Sequence, residues 1–360
     1  MTTVTTTAVT TTALTTTAAT TAAVTTEAPR APDIDEAAAP RAPWPVLRSV
    51  VATLLTAVTV FVLATFATFA LGAASGSDPA AVALGEVATQ ADVDRLNHQF
   101  GLDRPFLVRY VDWIGGAIGG DLGNSWFTTI PVGDSIAQAF PVSLSIAAGA
   151  TLVALVFGFL GGVLAAVTRG GAIDRVITLL STVAATVPAF VAAIGLILLF
   201  SYAIPVFPVA GYTPPERSIA AWLTCLVLPS VALSLDAGAD IARQLRTSLV
   251  GTLGENFIVG ARVHGLGPGR IVFRHALPIA SGPALSALGV HAPRLVGGAV
   301  ITEVIFGMPG LGQLANRAAL QGDVPVVQGV LLVTIAVIVV VGAILNIVIS
   351  RTAGTERSAA

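Results

Sequence analysis

The sequence predicts an all-α, polytopic membrane protein with six transmembrane helices and a small external subdomain. Three observations predict it. Of the 360 residues, 54% are apolar. Only 11% are charged, against about 25% in a soluble domain, too few to coat a water-exposed globule of this length. The apolar residues are also gathered in charge-free runs long enough for a spanning helix, which needs roughly 20 residues.

The first 26 residues hold 15 Thr, and Pro29, Pro32, Pro40, Pro43 and Pro45 come next. Residues 1–45 are therefore expected to be a disordered cytoplasmic tail. They lack the basic-then-apolar order of a secretory signal. Residues 46–72 form the first span, with no charge from Ser49 to Gly72. Residues 73–134 carry Asp78, Glu86, Asp92, Asp94, Asp103, Asp112, Asp121 and Asp134 against Arg95, Arg104 and Arg109. Their mixed polar and aromatic content predicts a partly helical external subdomain.

Residues 135–350 supply five more helices. Ser135–Thr168 is the second span, and Val176–Tyr202 the third, ended by Pro205 and Pro208. The fourth runs from Ala220 to about Ser248 and takes Asp236 and Asp240 into its inner half. Ala276–Phe306 is the fifth, with Arg294 and Glu303, and Val324–Ser350 the sixth. Residues 351–360 are a second tail. Arginine placement orients the chain. With both termini cytoplasmic, Arg169, Arg175, Arg243, Arg246, Arg262, Arg270 and Arg274 all lie inside.

The connection 248–275 is longer than a helical hairpin requires. In Gly251–His264, Leu253, Phe257, Ile258 and Ala261 recur at helical spacing, with Glu255, Asn256 and Arg262 on other faces. Gly265-Leu266-Gly267-Pro268-Gly269 breaks this amphipathic helix, and Pro268 starts a second one bearing Arg270 and Arg274. Two readings fit: an interfacial helix with arginines at the headgroups, or a stiff knob that seats in a cytoplasmic partner.

Composition excludes several chemistries. All 18 basic residues are Arg and none is Lys, so there is no P-loop lysine and no Schiff-base lysine. Cys225 is the single cysteine, which leaves neither an intrachain disulfide nor a cysteine zinc site. His98, His264, His275 and His291 show no metal-ligand spacing. The net charge of −2 selects no nucleic-acid partner.

Seven segments carry a resemblance. Gly260-Ala261-Arg262-Val263-His264-Gly265-Leu266 with Phe273-Arg274-His275-Ala276-Leu277-Pro278 resembles the cytoplasmic EAA-type loop of ABC importer permeases. Ser77-Asp78-Pro79-Ala80, Gly101-Leu102-Asp103-Arg104-Pro105 and Gly120-Asp121-Leu122-Gly123-Asn124-Ser125 resemble the external segment of the dipeptide/oligopeptide B-type subunits. Glu303 to Gly312 and Pro325-Val326-Val327-Gln328-Gly329 resemble their last external turn and sixth span. The likeness covers about Val46 to Ser350, and the Glu-Ala-Ala itself is replaced by Val259-Gly260-Ala261.

The resemblance implies a type I ABC importer permease fold with no catalytic residue, metal or cofactor of its own. It implies a paralogous C-type permease, two cytoplasmic ATPase subunits or domains, an extracytoplasmic solute-binding protein, the bilayer and a peptide as partners. Relatives of this type also move nickel, glutathione or haem. Glu255, Phe257, Ile258, Ala261, Arg262, Gly265, Pro268 and Arg270 are then the ATPase-coupling residues, and Asp103, Asp112 and Asp121 part of the binding-protein docking surface.

Charges inside spans are functional candidates, because lipid exposure costs several kcal/mol. Asp236 and Asp240, four apart on one helical face, either line the path or pair with Arg243 or Arg294. Glu303 sits at an external gate or holds the 306–312 turn. His291 is read as a packing residue, and Cys225 as a small buried hydrophobe. A proton-coupled carrier that relays through Asp236, Asp240 and Glu303 is the alternative, but no internal inverted repeat is visible to favour it.

Overall fold

The computed structural model describes residues 44–74, 78–85 and 88–357. The chain falls into a unit of residues 1–48 and a unit of residues 49–360. Nearly all of the Thr-rich tail expected over 1–45 lies outside the described residues. From Trp44 onward the structure is mostly helical, and among the described residues the only β feature is an isolated Asn124–Pro131 bridge.

Five helices are long and apolar enough to cross a membrane. They are α1 (Trp44–Ala74), α5 (Val132–Val167), α8 (Ile219–Thr252), the run that ends in α11 (Leu277–Ile305), and α13 (Val324–Arg357). Helices α6 (Ala172–Thr186) and α7 (Ala189–Ile197), the latter extended by a π turn at Leu198–Ala203, are together long and apolar enough for a broken sixth span or a re-entrant loop. Short helices α2 (Pro79–Leu84), α3 (Gln90–Phe100) and α4 (Phe106–Ile118) lie between α1 and α5. On the other side of the bundle come α9 (Asn256–Val263) and α10 (Pro268–Arg270), and α12 (Leu311–Gln321) precedes α13.

The core is the α5–α8 pair. Ala150, Ala154, Gly158, Gly162 and Ala166 recur every fourth residue, so all lie on one buried face of α5. A Cβ on Gly158 would stand 2.6 Å from Ile241 Cγ2, and one on Gly162 2.8 Å from Leu245 Cβ. Lipid is as apolar as leucine, so helices in it are held by close dispersion contact rather than by a hydrophobic force. Small residues permit that contact, and Ile241, Leu245 and Leu249 fill it with no exposed surface.

Two expectations about spans need correction. The third span is broken, since α6 and α7 meet at 109°. The cause is Pro188, because the residue before a proline avoids helical angles. Val187 accordingly sits at φ −80°, ψ 120°, and Pro188 opens α7. The fifth span also starts earlier than expected. Helix α10 continues through a π turn at Ile271–Ala276 into α11, so Pro268–Ile305 is one rod. Pro278 has no N–H to give the preceding turn and crowds it, and the wider π turn just before it absorbs the misfit.

The segment between α1 and α5 is docked on α1 through aromatic rings. Phe66 and Phe69 of α1 meet Phe106 and Tyr110 of α4 edge-on, with centroids 5.4–5.7 Å apart.

Candidate functional site

Three regions carry the candidate residues. The first is the elbow between α8 and α11. The α8 helix runs to Thr252, and α9 begins only at Asn256. Glu255 therefore precedes the helix as its cap residue and makes no side-chain cap bond, which corrects the single helix expected over 251–264. Ile258 is fully buried, and Ala261, Leu253 and Leu266 pack on the same core. Phe257 leaves the face that the spacing assigned it and points outward with Val263 and Phe273, the last two 80% and 65% exposed. Arg262 and Arg270 are exposed beside them.

The elbow's bend is a hydrogen-bonded helix stop. Gly265 N–H donates to Arg262 O (2.9 Å), and Leu266 N–H donates to Ala261 O (3.2 Å). That pattern needs a left-handed residue between them, and Gly265 supplies it at φ +77°. Pro268 then starts α10, where its missing N–H costs nothing.

The second region is a charge cluster inside the bundle. His291 on α11 reaches both acids of α8: Nδ1 lies 3.5 Å from Asp236 Oδ2, and Nε2 lies 3.2 Å from Asp240 Oδ2. Arg243 pairs with Asp240 at 3.1 Å. Of the two arginines named from sequence as partners, Arg294 pairs with neither acid and is exposed. Asp236, His291 and Arg294 share the wall of a cavity of about 290 Å³ with Thr186 and Pro188 at the break between α6 and α7. The Asp236 side chain is 51% exposed, that of Asp240 26%. One cavity wall thus offers an open carboxylate and an unpaired guanidinium, beside the leading amides of α7 that no helix satisfies internally.

The third region is the far end of α11. Glu303 has no exposed surface. Its Oε1 accepts from Ser143 Oγ (2.6 Å), and its Oε2 accepts from the N–H groups of Gly312 (2.7 Å) and Gln313 (3.0 Å). Leu311 N–H donates to Ser143 Oγ (2.8 Å). The cap residue of α12 is Gly310, which has no side chain to offer, so Glu303 satisfies the helix start from outside. A Cβ on Gly310 would overlap the Glu303 carboxylate, and one on Gly312 would overlap Val300. Glu303 is thus hydrogen-bonded to the first residues of α12, at the end of the 306–312 turn.

Asp323 and Gln328 close this end further. Asp323, 2% exposed, accepts from Ser125 Oγ (2.5 Å) and Trp126 N–H (3.3 Å). Burial pushes its carboxyl above the ordinary range, against the pull of those hydrogen bonds. Gln328 Nε2 donates to Thr65 O (3.2 Å), and Thr65 Oγ1 lies 2.9 Å from Tyr110 Oη. These bonds tie α1, α4 and α13 together.

The three candidate docking acids stay on the segment between α1 and α5 and are not brought together. Asp112 pairs with Arg104 (2.7 Å), Asp103 lies 3.8 Å from His98 Nε2, and Asp121 Oδ1 accepts from Gly123 N–H (2.9 Å). Only Asp103 reaches the wall of the outer cavity, of about 640 Å³, which it shares with Asp78, Asp94 and Arg109. Asp78 also caps α2 through Ala80 N–H (3.0 Å) and accepts from Asn97 Nδ2 (2.9 Å). Among the described residues no group of three His, Cys, Asp or Glu is placed to hold a metal ion.

Sequence reasoning missed three structural contacts. Asp174, at the start of α6, takes a bidentate pair from Arg246 of α8 at 2.5 and 2.7 Å, and 72 residues of separation hide it. Ser143 gave no signal as the partner of Glu303. The small-residue ladder of α5 did have one, since Gly158 and Gly162 stand four apart in an apolar run.

The chain matches two family descriptions. Residues 158–352 match the binding-protein-dependent transport system inner membrane component, and residues 46–147 the N-terminal part of such a membrane component. A probable peptide ABC transporter permease protein of Sinorhizobium fredii is 35% identical over 272 residues, 75% of this chain and 86% of that protein. A di/tripeptide transport system permease protein of Pseudomonas aeruginosa is 35% identical over 299 residues, 77% and 89% of the two chains. The MetNI methionine ABC transporter, solved facing inward, matches at a TM-score of 0.48 and 19% identity, over 60% of this chain and 95% of that one.

Proposed function

This chain belongs to the family of binding-protein-dependent transport system inner membrane components, and we propose that it is one of two permease subunits of a peptide importer. Its named relatives are peptide and di/tripeptide permeases at about a third identity over most of their length. It works with separate ATPases and a binding protein, as its family does. Its paralogous second subunit completes the path, and its termini lie in the cytoplasm, the side to which the arginines of 243–274 assign them.

The observation that carries the reading is the elbow. Helix α9 is rooted by Ile258 and presents Phe257 and Val263 outward, with Arg262 exposed at the rim of the cavity beneath it. Through a hydrogen-bonded glycine turn it joins a continuous rod, Pro268–Ile305. A push on the outer face therefore reaches Arg294 and Glu303 on the same rod. ATP-driven closure of the ATPase pair tilts this rod and alternates access to the path. Within the path, the cavity at the α6–α7 break receives the charged ends of a peptide: the ammonium at Asp236, the carboxylate at Arg294. His291 and Arg243 hold the neighbouring acids in place.

Reconstitution tests this. Vesicles holding both permeases, the ATPases and the binding protein accumulate peptide against a gradient when ATP is supplied. The permease pair alone accumulates none. Uphill uptake without the ATPases, abolished by an uncoupler, would instead favour the proton-coupled reading.

A further inference from the structure

A third cavity, of about 460 Å³, lies beneath the elbow. Three membrane-crossing segments meet there: α5 at Ala166 and Val167, α8 at Val250, and the Pro268–Ile305 rod at Ile271 and Val272. Such a place is the boundary between hydrocarbon and headgroups. Its charged lining consists of two guanidiniums, Arg169 and Arg262. Neither takes part in an ion pair among the described residues: Asp174 and Asp240 are held by Arg246 and Arg243, and Glu255, next to the lining residue Gly254, pairs with neither arginine. The rest of the lining is largely aliphatic.

An exposed apolar face of α5 adjoins the cavity. Val167 on its wall is followed along α5 by Leu164, Leu160 and Phe157, each more than half exposed. The intervals of three and four residues place them on one helix face. At about 1.5 Å per residue the track is roughly 15 Å long, the reach of much of an acyl chain. Two unpaired arginines at the head of an apolar track match an amphiphile with an anionic head, and basic pockets between transmembrane helices are where such headgroups bind.

We propose that this cavity binds one anionic phospholipid, its phosphate between Arg169 and Arg262 and one acyl chain along Val167, Leu164, Leu160 and Phe157. The lipid bridges the end of α5 to the elbow and stiffens it. The inference rests on the membrane placement of α5 and α8 and is independent of the cargo.

Native mass spectrometry of the assembled importer, titrated with dioleoyl-phosphatidylglycerol or dioleoyl-phosphatidylcholine, tests it. The wild type prefers the anionic lipid. Arg169→Gln lowers that preference about fivefold, the effect of one basic side chain at an anionic surface. Arg169→Lys keeps it, so a loss in the glutamine variant reads charge and not folding. Arg317→Gln, on the opposite side of the bundle, leaves it unchanged. Equal binding of the two lipids, or an Arg169→Gln preference equal to wild type, overturns the proposal. Displacement of the lipid by millimolar inorganic phosphate assigns the site to a free anion and overturns it too. So does a preference present in the permease pair but lost when the ATPases are added, since a protein segment then fills the cavity.

Discussion

At the end of the bundle that carries Glu303 and Asp323, each buried acid is matched by hydrogen-bond donors from another segment: Ser143, Gly312 and Gln313 for one, Ser125 and Trp126 for the other. At the Arg262 end the balance is reversed. Arg169, Arg175, Arg262, Arg270 and Arg274 take part in no ion pair among the described residues, and Phe257, Val263 and Phe273 stand exposed beside them. Unmatched buried polar groups cost about 1–3 kcal/mol or more each, so matching both buried acids marks this end as scaffold, although Gln313 Oε1 and Gln328 Oε1 there find no partner. The end the chain leaves open is where the proposed partners would complete the structure. Several motifs that resemble a known family divide the same way: those at the outer end are joints, and the elbow motif is a surface.

The sharpest way to break this contrast is at the closed end. Gly312→Val drives a branched side chain into the Val300 backbone, and Gly310→Val drives one into the Glu303 carboxylate. Overpacking against backbone costs about 3 kcal/mol, so Gly312→Val fails to accumulate as folded protein, as size-exclusion profiles will show, whereas Gly310→Val displaces the Glu303 carboxylate and lowers the thermal midpoint. Glu303→Ala leaves Ser143 and two amides unmatched and costs about 3 kcal/mol, read as a lower thermal midpoint of the purified complex. If all three behave like wild type, the outer end is not a scaffold.

At the open end the same kind of substitution acts differently. Gly265→Val meets no neighbouring atom, but it forces a branched residue to φ +77°. A left-handed L residue costs about 1–2 kcal/mol, enough to shift the elbow's geometry by a factor of about five to thirty without unfolding the bundle. Peptide uptake falls by that factor while ATP hydrolysis by the assembled importer continues. Arg262→Glu has the same signature. Tightly coupled uptake and hydrolysis in both variants would mean that the elbow rests on lipid and transmits nothing.

The charge cluster lies between the two ends and differs from both. Asp236→Asn keeps the shape of the cavity and removes its open carboxylate. Losing one charge-assisted contact to an ammonium costs about 1.5–3 kcal/mol, so uptake of a peptide with a free amino terminus falls at least about tenfold. Uptake of the N-acetylated peptide, already poor, does not fall further. Equal losses for both peptides would place Asp236 in the structural pairing and outside the path.

Much of the scaffold was legible in sequence because membrane spans are one-dimensional: a charge-free run announces itself without its neighbours. The break at Pro188 was also written there, but an apolar run from Val176 to Tyr202 masks a bend that only the proline's steric demand creates. The outer joints were legible as motifs and not as contacts. Glu303 and Gly312 are nine residues apart and their bond is local, whereas Ser143 lies 160 residues from Glu303 and only packing brings it there. The same distance hides Asp174 from Arg246. His291 is buried, and its two ring nitrogens meet Asp236 and Asp240; sequence spacing does not suggest this partner for acids read as path-lining or arginine-paired.

The smallest expected effect separates the two buried acids of the closed end. Glu303 lies within a span and has three donors, whereas Asp323 lies outside one, and its burial raises its carboxyl above the ordinary value. A raised carboxyl contributes stability at low pH and loses it as pH rises through its folded value. The Ser125–Asp323 joint therefore weakens as pH climbs above the ordinary carboxylate range near about pH 4. Asp323→Asn keeps an oxygen for Ser125 Oγ, gives up about one hydrogen bond, worth about 1 kcal/mol, and removes the titration. Its thermal midpoint then lies slightly below wild type in acid and approaches it as pH rises. A gap that widens with pH would mean that the Asp323 charge stabilises the joint, and that both acids of this end act alike.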